Sequence, residues 1–293
     1  MKKTTAIVGA AGLAVSATLS GCVTNEEPAL PEGWSAPDVD EVPEIAAMYE
    51  DADGVLTVGT NPPFAPFEFK DSDGSIIGVE IDLAHAVAQV LGLEFRPVEQ
   101  DFSMILPAVQ AGQIDLGGSG FTDTEERREN FDFVNTLYAG IQWAALADGP
   151  HDVDPSNPCG LTVAVQRTTV SETDDLRPKQ EACDGDLTIL PYDTSDNAAL
   201  AVLMGRADAL SADSPVSAWS VNRSDGRMVM VGEMFDAAPY GFAVPKDSEL
   251  GQAVAAAFQH LIDTGVYAEI LAQWGVDEGL VEHAMINERP IND

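Results

Sequence analysis

The sequence predicts an α/β chain of two similar lobes, each a mixed sheet flanked by helices. Three observations point there. Ala111-Gly112-Gln113-Ile114-Asp115-Leu116 and Met204-Gly205-Arg206-Ala207-Asp208-Ala209 share a helix end, a Gly-x-x-Asp step and a strand start. Leu56-Thr57-Val58 returns as Leu161-Thr162-Val163, so one βαβ plan is used twice with unequal loops. A chain of 293 residues, 45% of them hydrophobic, is long enough for two cores and too rich in core formers to be disordered.

The elements follow in order. Leu56-Thr57-Val58 opens a strand that Pro62 and Pro63 stop. Phe67-Glu68-Phe69 and Ile76-Ile77 flank Asp71-Ser72-Asp73-Gly74, a hairpin signal. A calcium loop is the competing reading, but Ile76 stands where an EF-hand needs glycine. Ala84, Val87, Ala88 and Leu91 repeat at helical spacing before Gly92, so that face packs into a core. A second helix is expected from Ser103 as N-cap, with Pro107 in its early part and Gly112 at its end, then strand Ile114-Asp115-Leu116. Thr124 reads as the N-cap of a short helix carrying Glu125, Glu126 and Arg127.

Ligands of open α/β sheets collect beyond the carboxyl ends of the strands. The loops so placed are 61–64, 119–122 and 166–170, with Asp213 after the last matched strand. Free amides at the Thr124 helix start and the Arg127 guanidinium make an anion receptor, since Arg grips a carboxylate through two parallel hydrogen bonds. Taken alone, the motif reads first as an Arg paired with surface acids such as Glu125.

Charge narrows the partners. With 49 acidic residues against 14 basic ones the formal charge is −35, a poor surface for nucleic acid. His85, His151, His260 and His283 lack metal spacing, and neither a Gly-x-Ser-x-Gly elbow nor a Gly-rich phosphate loop is present, so no cofactor, metal or catalytic residue is expected. The N-terminus has the three-part form of an export signal: Lys2 and Lys3, an apolar run from Thr5 to Thr18, then Leu19-Ser20-Gly21-Cys22. That run is short for a membrane span. Leu-Ser-Gly-Cys resembles the lipobox of bacterial lipoproteins, which implies cleavage after residue 21 and a lipid anchor on Cys22. Residues 22–50, rich in Pro and acids, read as a tether. Of the three cysteines, Cys159 and Cys183 remain to pair outside the cytoplasm, or to stay as free buried thiols.

Several segments together resemble the type II solute-binding proteins of polar amino-acid ABC importers. They are Asn61-Pro62-Pro63-Phe64-Ala65-Pro66-Phe67-Glu68-Phe69, Gly78-Val79-Glu80-Ile81-Asp82-Leu83-Ala84, Gly112-Gln113-Ile114-Asp115, Gly120-Phe121-Thr122-Asp123-Thr124-Glu125-Glu126-Arg127, Tyr240-Gly241-Phe242-Ala243-Val244-Pro245-Lys246, and the closing Gly265-Val266-Tyr267 to Trp274-Gly275. The resemblance covers about residues 51–276. It implies the two-lobed type II periplasmic-binding-protein fold with a two-strand hinge: lobe one over 51–146 and 238–283, lobe two over 147–237, and a tail at 284–293. It implies a monomer that delivers an amino acid to a membrane permease.

By the same resemblance Arg127 binds the ligand α-carboxylate, helped by Thr122 and the amides near Thr169 and Val170. Asp213 takes the α-ammonium with the Gly120 carbonyl, and Phe64 and Phe102 wall the side chain. Asn61, Ser119 and Gln166 complete the expected site. Asn61 stands where many relatives carry Asp, which favours a neutral, glutamine-like ligand; glutamate or aspartate follows if Arg167 points inward. Thr168 stands where relatives carry Gly. A dehydratase on the same fold is the enzyme alternative, and a ligand-sensing partner of a receptor is a third reading.

Overall fold

The computed structural model describes residues 30–31, 33–50, 53–149 and 152–291. The export signal and the Cys22 anchor lie outside the described residues. In chain order the strands are β1 (Val55–Thr60), β2 (Phe69–Lys70), β3 (Ile76–Ile77), β4 (Glu94–Glu99), β5 (Leu116–Gly117), β6 (Phe131–Leu146), β7 (Thr162–Gln166), β8 (Thr188–Tyr192), β9 (Ala209–Asp213), β10 (Met228–Pro245), β11 (Met285–Ile286) and β12 (Arg289–Pro290). The helices are α1 (Pro43–Ala46), α2 (Val79–Val90), α3 (Phe102–Gln110), α4 (Glu125–Arg128), α5 (Arg177–Ala182), α6 (Ser195–Leu203), α7 (Ser214–Asn222), α8 (Glu249–Thr264) and α9 (Val266–Trp274). A π-helical turn, Ser171–Leu176, leads into α5.

The main sheet runs β4-β1-β5-β10-β6-β9-β7-β8. Two lobes share it because β6 and β10 are long antiparallel neighbours that pass from one lobe to the other. Residues 131–138 of β6 pair with 239–245 of β10 beside β5, whereas 141–146 pair with 228–235 of β10 and with β9. The register breaks at Phe235/Ala238, where the pair crosses between lobes. The break in β10 lies opposite residues 139–141, inside the continuous strand β6.

The repeated motif has a physical cause. Asp115 accepts hydrogen bonds from the Thr57 N–H at 2.6 Å and from the Thr57 hydroxyl, and Asp208 accepts from the Thr162 N–H at 2.8 Å. Each Gly-x-x-Asp thus pins the start of the parallel partner strand carrying its Leu-Thr-Val. Charge-assisted bonds of this kind contribute roughly 1.5–3 kcal/mol. Asp115→Ala is expected to lower stability by about 2 kcal/mol, read as a shifted urea midpoint with unchanged slope.

Three local expectations need correction. Helix α3 begins at Phe102 after Asp101, with no side-chain cap, so Ser103 is inside the helix and Pro107 lies beyond its first turn. Residues 34–49, expected as tether, pack on the body: Trp34 donates its indole N–H to Asp82 at 2.8 Å, as Trp274 does, and Val39, Val42 and Ile45 join the core. Those apolar residues were outnumbered in the sequence by prolines and acids. The expected tail 284–293 supplies β11, which adds to lobe one through Ile286 opposite Val134, and Asn287 donates to Asp132. The Asp71–Gly74 segment is the hairpin turn, with Asp71 accepting the Asp73 and Ser75 N–H groups. Cys159 and Cys183 form a disulfide. Among the described residues no helix is long and apolar enough to cross a membrane.

Candidate functional site

Strand ends from both lobes converge on one cavity. It is lined by Phe64, Phe102, Ser119, Gly120, Thr122, Arg127, Gln166, Thr169, Val170 and Asp213. Every residue named from the sequence is therefore on its wall except Asn61, which lies just behind, bonded to a residue that is. Asn61 Oδ1 accepts from Gln166 Nε2 at 2.8 Å, a hydrogen bond across the two lobes, while its own Nδ2 donates to the Gln100 carbonyl.

Local chemistry explains each position. The Thr124 hydroxyl caps α4 by accepting from the Arg127 N–H, and the Arg127 guanidinium donates to the Thr122 carbonyl at 2.7 Å and lies 5.5 Å from the Phe121 ring centre. Its neighbour Arg128 is engaged elsewhere, with Asp123 and Glu288, which leaves Arg127 as the guanidinium for the cavity. Burial lowers the Arg127 pKa from its ordinary value, against the opposing pull of Asp174, Asp213 and Glu126. Asp213, at the end of β9, is pushed up to about 6 by burial, opposed by Tyr240 and Arg127. The Tyr240 hydroxyl is near enough to favour the Asp213 carboxylate but falls short of a full hydrogen bond.

Phe102 stacks on Phe121 with ring centres 4.7 Å apart, and Phe64 on Phe67 at 5.5 Å, giving the cavity rigid aromatic walls. Gly120 has φ +59°, and a Cβ there would lie 2.6 Å from the Phe64 ring, so only glycine lets the chain pass. Thr168 has φ +62°, a conformation favouring glycine and strained for a β-branched residue. Glu172 holds it through the Thr168 N–H at 2.7 Å. Arg167 points away from the cavity and pairs with Asp193 at 2.9 Å, which removes the condition on which a glutamate ligand rested. A wider mouth outside Arg127 is edged by Glu126 and Asp174.

Sequence reasoning missed two residues of this site, Glu68 and Glu80. Both are buried, 0% and 2% exposed. Glu68 accepts the Ser119 hydroxyl, and Glu80 accepts the Gly120 N–H at 2.6 Å, so they form a layer directly behind the cavity wall. Burial pushes Glu80 up to about 8, and burial with the neighbouring Glu80 raises Glu68 well above the carboxylate range. The available signal was Glu68 between Phe67 and Phe69, and Glu80 between Val79 and Ile81, acids inside apolar runs.

The raised values fix a sign for stability. Below pH 4.5 both folded and unfolded chains hold the Glu80 proton; between 4.5 and about 8 only the folded chain does. The unfolded state then binds fewer protons, so stability falls as pH rises through that window, by a few kcal/mol in order of magnitude. Glu80→Gln is expected to flatten this fall in urea titrations at pH 5 and pH 8.

The bacterial extracellular solute-binding proteins, family 3, match residues 56–277. The arginine-binding protein ArgT of Corynebacterium glutamicum is 62% identical over 287 residues, covering 96% of this chain and 94% of that protein. Among solved structures, an ancestral arginine-binding protein bound to arginine has a TM-score of 0.72 at 33% identity, covering 75% of this chain and 98% of that one. An ancestral arginine-binding protein bound to glutamine has a TM-score of 0.70 at 33% identity, over 76% and 98%. The matched span holds both hinge strands and every residue of the cavity: the chain belongs to the bacterial extracellular solute-binding proteins, family 3.

Proposed function

We propose that the protein captures a cationic amino acid, arginine first, between its lobes and delivers it to the permease of an ABC importer while a lipid on Cys22 holds it at the membrane. One observation carries the amino-acid reading: a guanidinium from lobe one, Arg127, and a carboxylate from lobe two, Asp213, face the same cavity. A zwitterion satisfies both at once. Its carboxylate meets Arg127, Thr122 and the amides of Thr169 and Val170; its ammonium meets Asp213 and the Gly120 carbonyl. Paired charges are what make burial of a zwitterion tolerable, because either pole alone would be costly out of water. Since the two poles are gripped from opposite lobes, ligand favours lobe closure about β6 and β10.

Arginine stands ahead of the glutamine-like ligand expected from Asn61, supported by the name of the 62% identical relative. The second reading, a neutral polar amino acid, keeps one observation in its favour. The uncharged Asn61 is bonded to Gln166, and that pair offers amide groups, not a carboxylate, to a ligand side chain. Thermal unfolding of the exported body against the common amino acids separates the two. A ligand at 100 times its dissociation constant adds about 2.7 kcal/mol to stability, so arginine should raise the melting temperature by several degrees. Stabilisation by glutamine and not by arginine would decide for the neutral reading. Stabilisation by neither would reject both.

A further inference from the structure

In the cavity Arg127 and Asp213 balance one another, and the two poles of an amino acid balance each other in turn. A guanidinium side chain adds one more positive charge to this water-poor space. Asn61, just behind the wall, is neutral and its oxygen is occupied by Gln166. Glu126 and Asp174, at the mouth, already face Arg127. An uncompensated buried charge is strongly unfavourable, so the countercharge must come from another group near the wall.

Glu68 and Glu80 answer this need by position. Both stand one bond behind the wall, through Ser119 and Gly120. Each has a second carboxyl oxygen, Glu68 Oε2 and Glu80 Oε1, that is buried without a hydrogen-bond partner. The charged groups around them are few. From β10, Tyr240 faces both glutamates and Asp213; from the end of β1, Thr60 and Asn61 approach Glu68 and are neutral. On α2 itself, Asp82 is held by Trp34 and Trp274, and His85 is stacked on Phe95. Among the described residues no cation forms a salt bridge with either glutamate. Two carboxyls so placed cannot both ionise readily, and the pair retains a proton at neutral pH.

We infer that Glu68 and Glu80 are a proton-holding pair that supplies the countercharge for a cationic ligand side chain, giving up a proton to the solvent as the ligand enters. This inference rests on the cationic-ligand reading above. The step is a simple ionisation: one carboxyl O–H bond breaks, the proton goes to buffer, and the pair becomes more negative by one charge as the guanidinium arrives. Glu68 and Glu80 are positioning residues in this account, acting through Ser119 and Gly120.

The test is calorimetric titration at pH 7 in buffers of different ionisation enthalpy, with arginine and with citrulline, whose side chain has the same length but no charge. Asp213 would release protons equally with both ligands, so the difference between them isolates the pair. Arginine is expected to release at least half a proton more than citrulline. In Glu80→Gln one carboxyl is gone while burial still holds the Glu68 proton, so the excess release should shrink without vanishing and arginine should still bind. In the double variant Glu68→Gln/Glu80→Gln neither carboxyl remains, so the excess release should vanish and the ratio of arginine to citrulline affinity should fall at least tenfold. Arginine binding to the unaltered protein with the same proton count as citrulline between pH 6 and 8 would overturn the inference and leave the arginine reading intact. Heat with glutamine and none with arginine would overturn both.

Discussion

Arg127→Ala is expected to weaken amino-acid binding by about 30- to 4,000-fold while leaving the fold and melting temperature of the ligand-free protein almost unchanged. The first half follows from desolvation. The ligand carboxylate would enter a cavity where the remaining donors are the Thr122 hydroxyl and backbone amides, too few for an ionised group out of water. Truncating one partner of a buried charge pair costs about 2–5 kcal/mol or more, and each 1.4 kcal/mol is tenfold in affinity. The second half follows from what Arg127 does in the structure: its guanidinium donates to the Thr122 carbonyl, and among the described residues it forms no salt bridge. Arg127→Lys should recover only part of the loss, because an ammonium cannot make the two parallel bonds of a guanidinium. Arg128→Ala is the matched control. It breaks the Asp123 and Glu288 pairs and should lower stability, yet it leaves the cavity untouched. Calorimetric affinities of the three variants check the assignment; an Arg127→Ala protein that binds as tightly as its parent would refute it.

The residues that were legible in the sequence are those whose role is set locally. The Leu-Thr-Val and Gly-x-x-Asp repeats are visible because the bond between Asp115 and Thr57, or Asp208 and Thr162, needs the same few residue types in each lobe. Thr124 is legible as a cap because its partner, the Arg127 N–H, is three residues away. What stayed hidden depends on contacts between distant segments. Gln166 meets Asn61 across 105 residues, and Trp34 meets Asp82 across 48. The change of partners inside β6 was hidden for another reason. A strand that changes sheet partners partway keeps one uninterrupted apolar pattern, so nothing in its sequence marks the crossing. Glu68 escaped notice because alternation with Phe67 and Phe69 suggests an outward face, whereas the hairpin folds back under the cavity and buries both faces.

That layer under the cavity also sets the largest expected effect on folding. Gly78→Ala should cost roughly 4 kcal/mol or more, most of the stability of a protein at the low end of the ordinary range. Gly78 precedes α2 with φ +139° and ψ 170°, a region that residues with a Cβ scarcely enter. A Cβ there would lie 2.0 Å from the Phe67 carbonyl oxygen and 2.9 Å from the Glu68 nitrogen, both backbone atoms that cannot rotate away. Relief would require lifting the Phe67–Glu68 chain off the start of α2, breaking the Val79 N–H bond to Pro66 and the Glu80 N–H bond to Phe67. Those bonds bring Glu68 and Glu80 together behind Ser119 and Gly120, so folding and site geometry fail at one point. If some Gly78→Ala protein folds, its arginine affinity should fall along with its denaturation midpoint. Gly74→Ala in the same hairpin is the contrast: a Cβ at Gly74 meets nothing within 4 Å, so only the strain of its φ of +89° is added, about 1 kcal/mol, with binding unchanged. Equal midpoints for the two variants would show that the close approach at Gly78 is not what joins the glutamate pair to the fold.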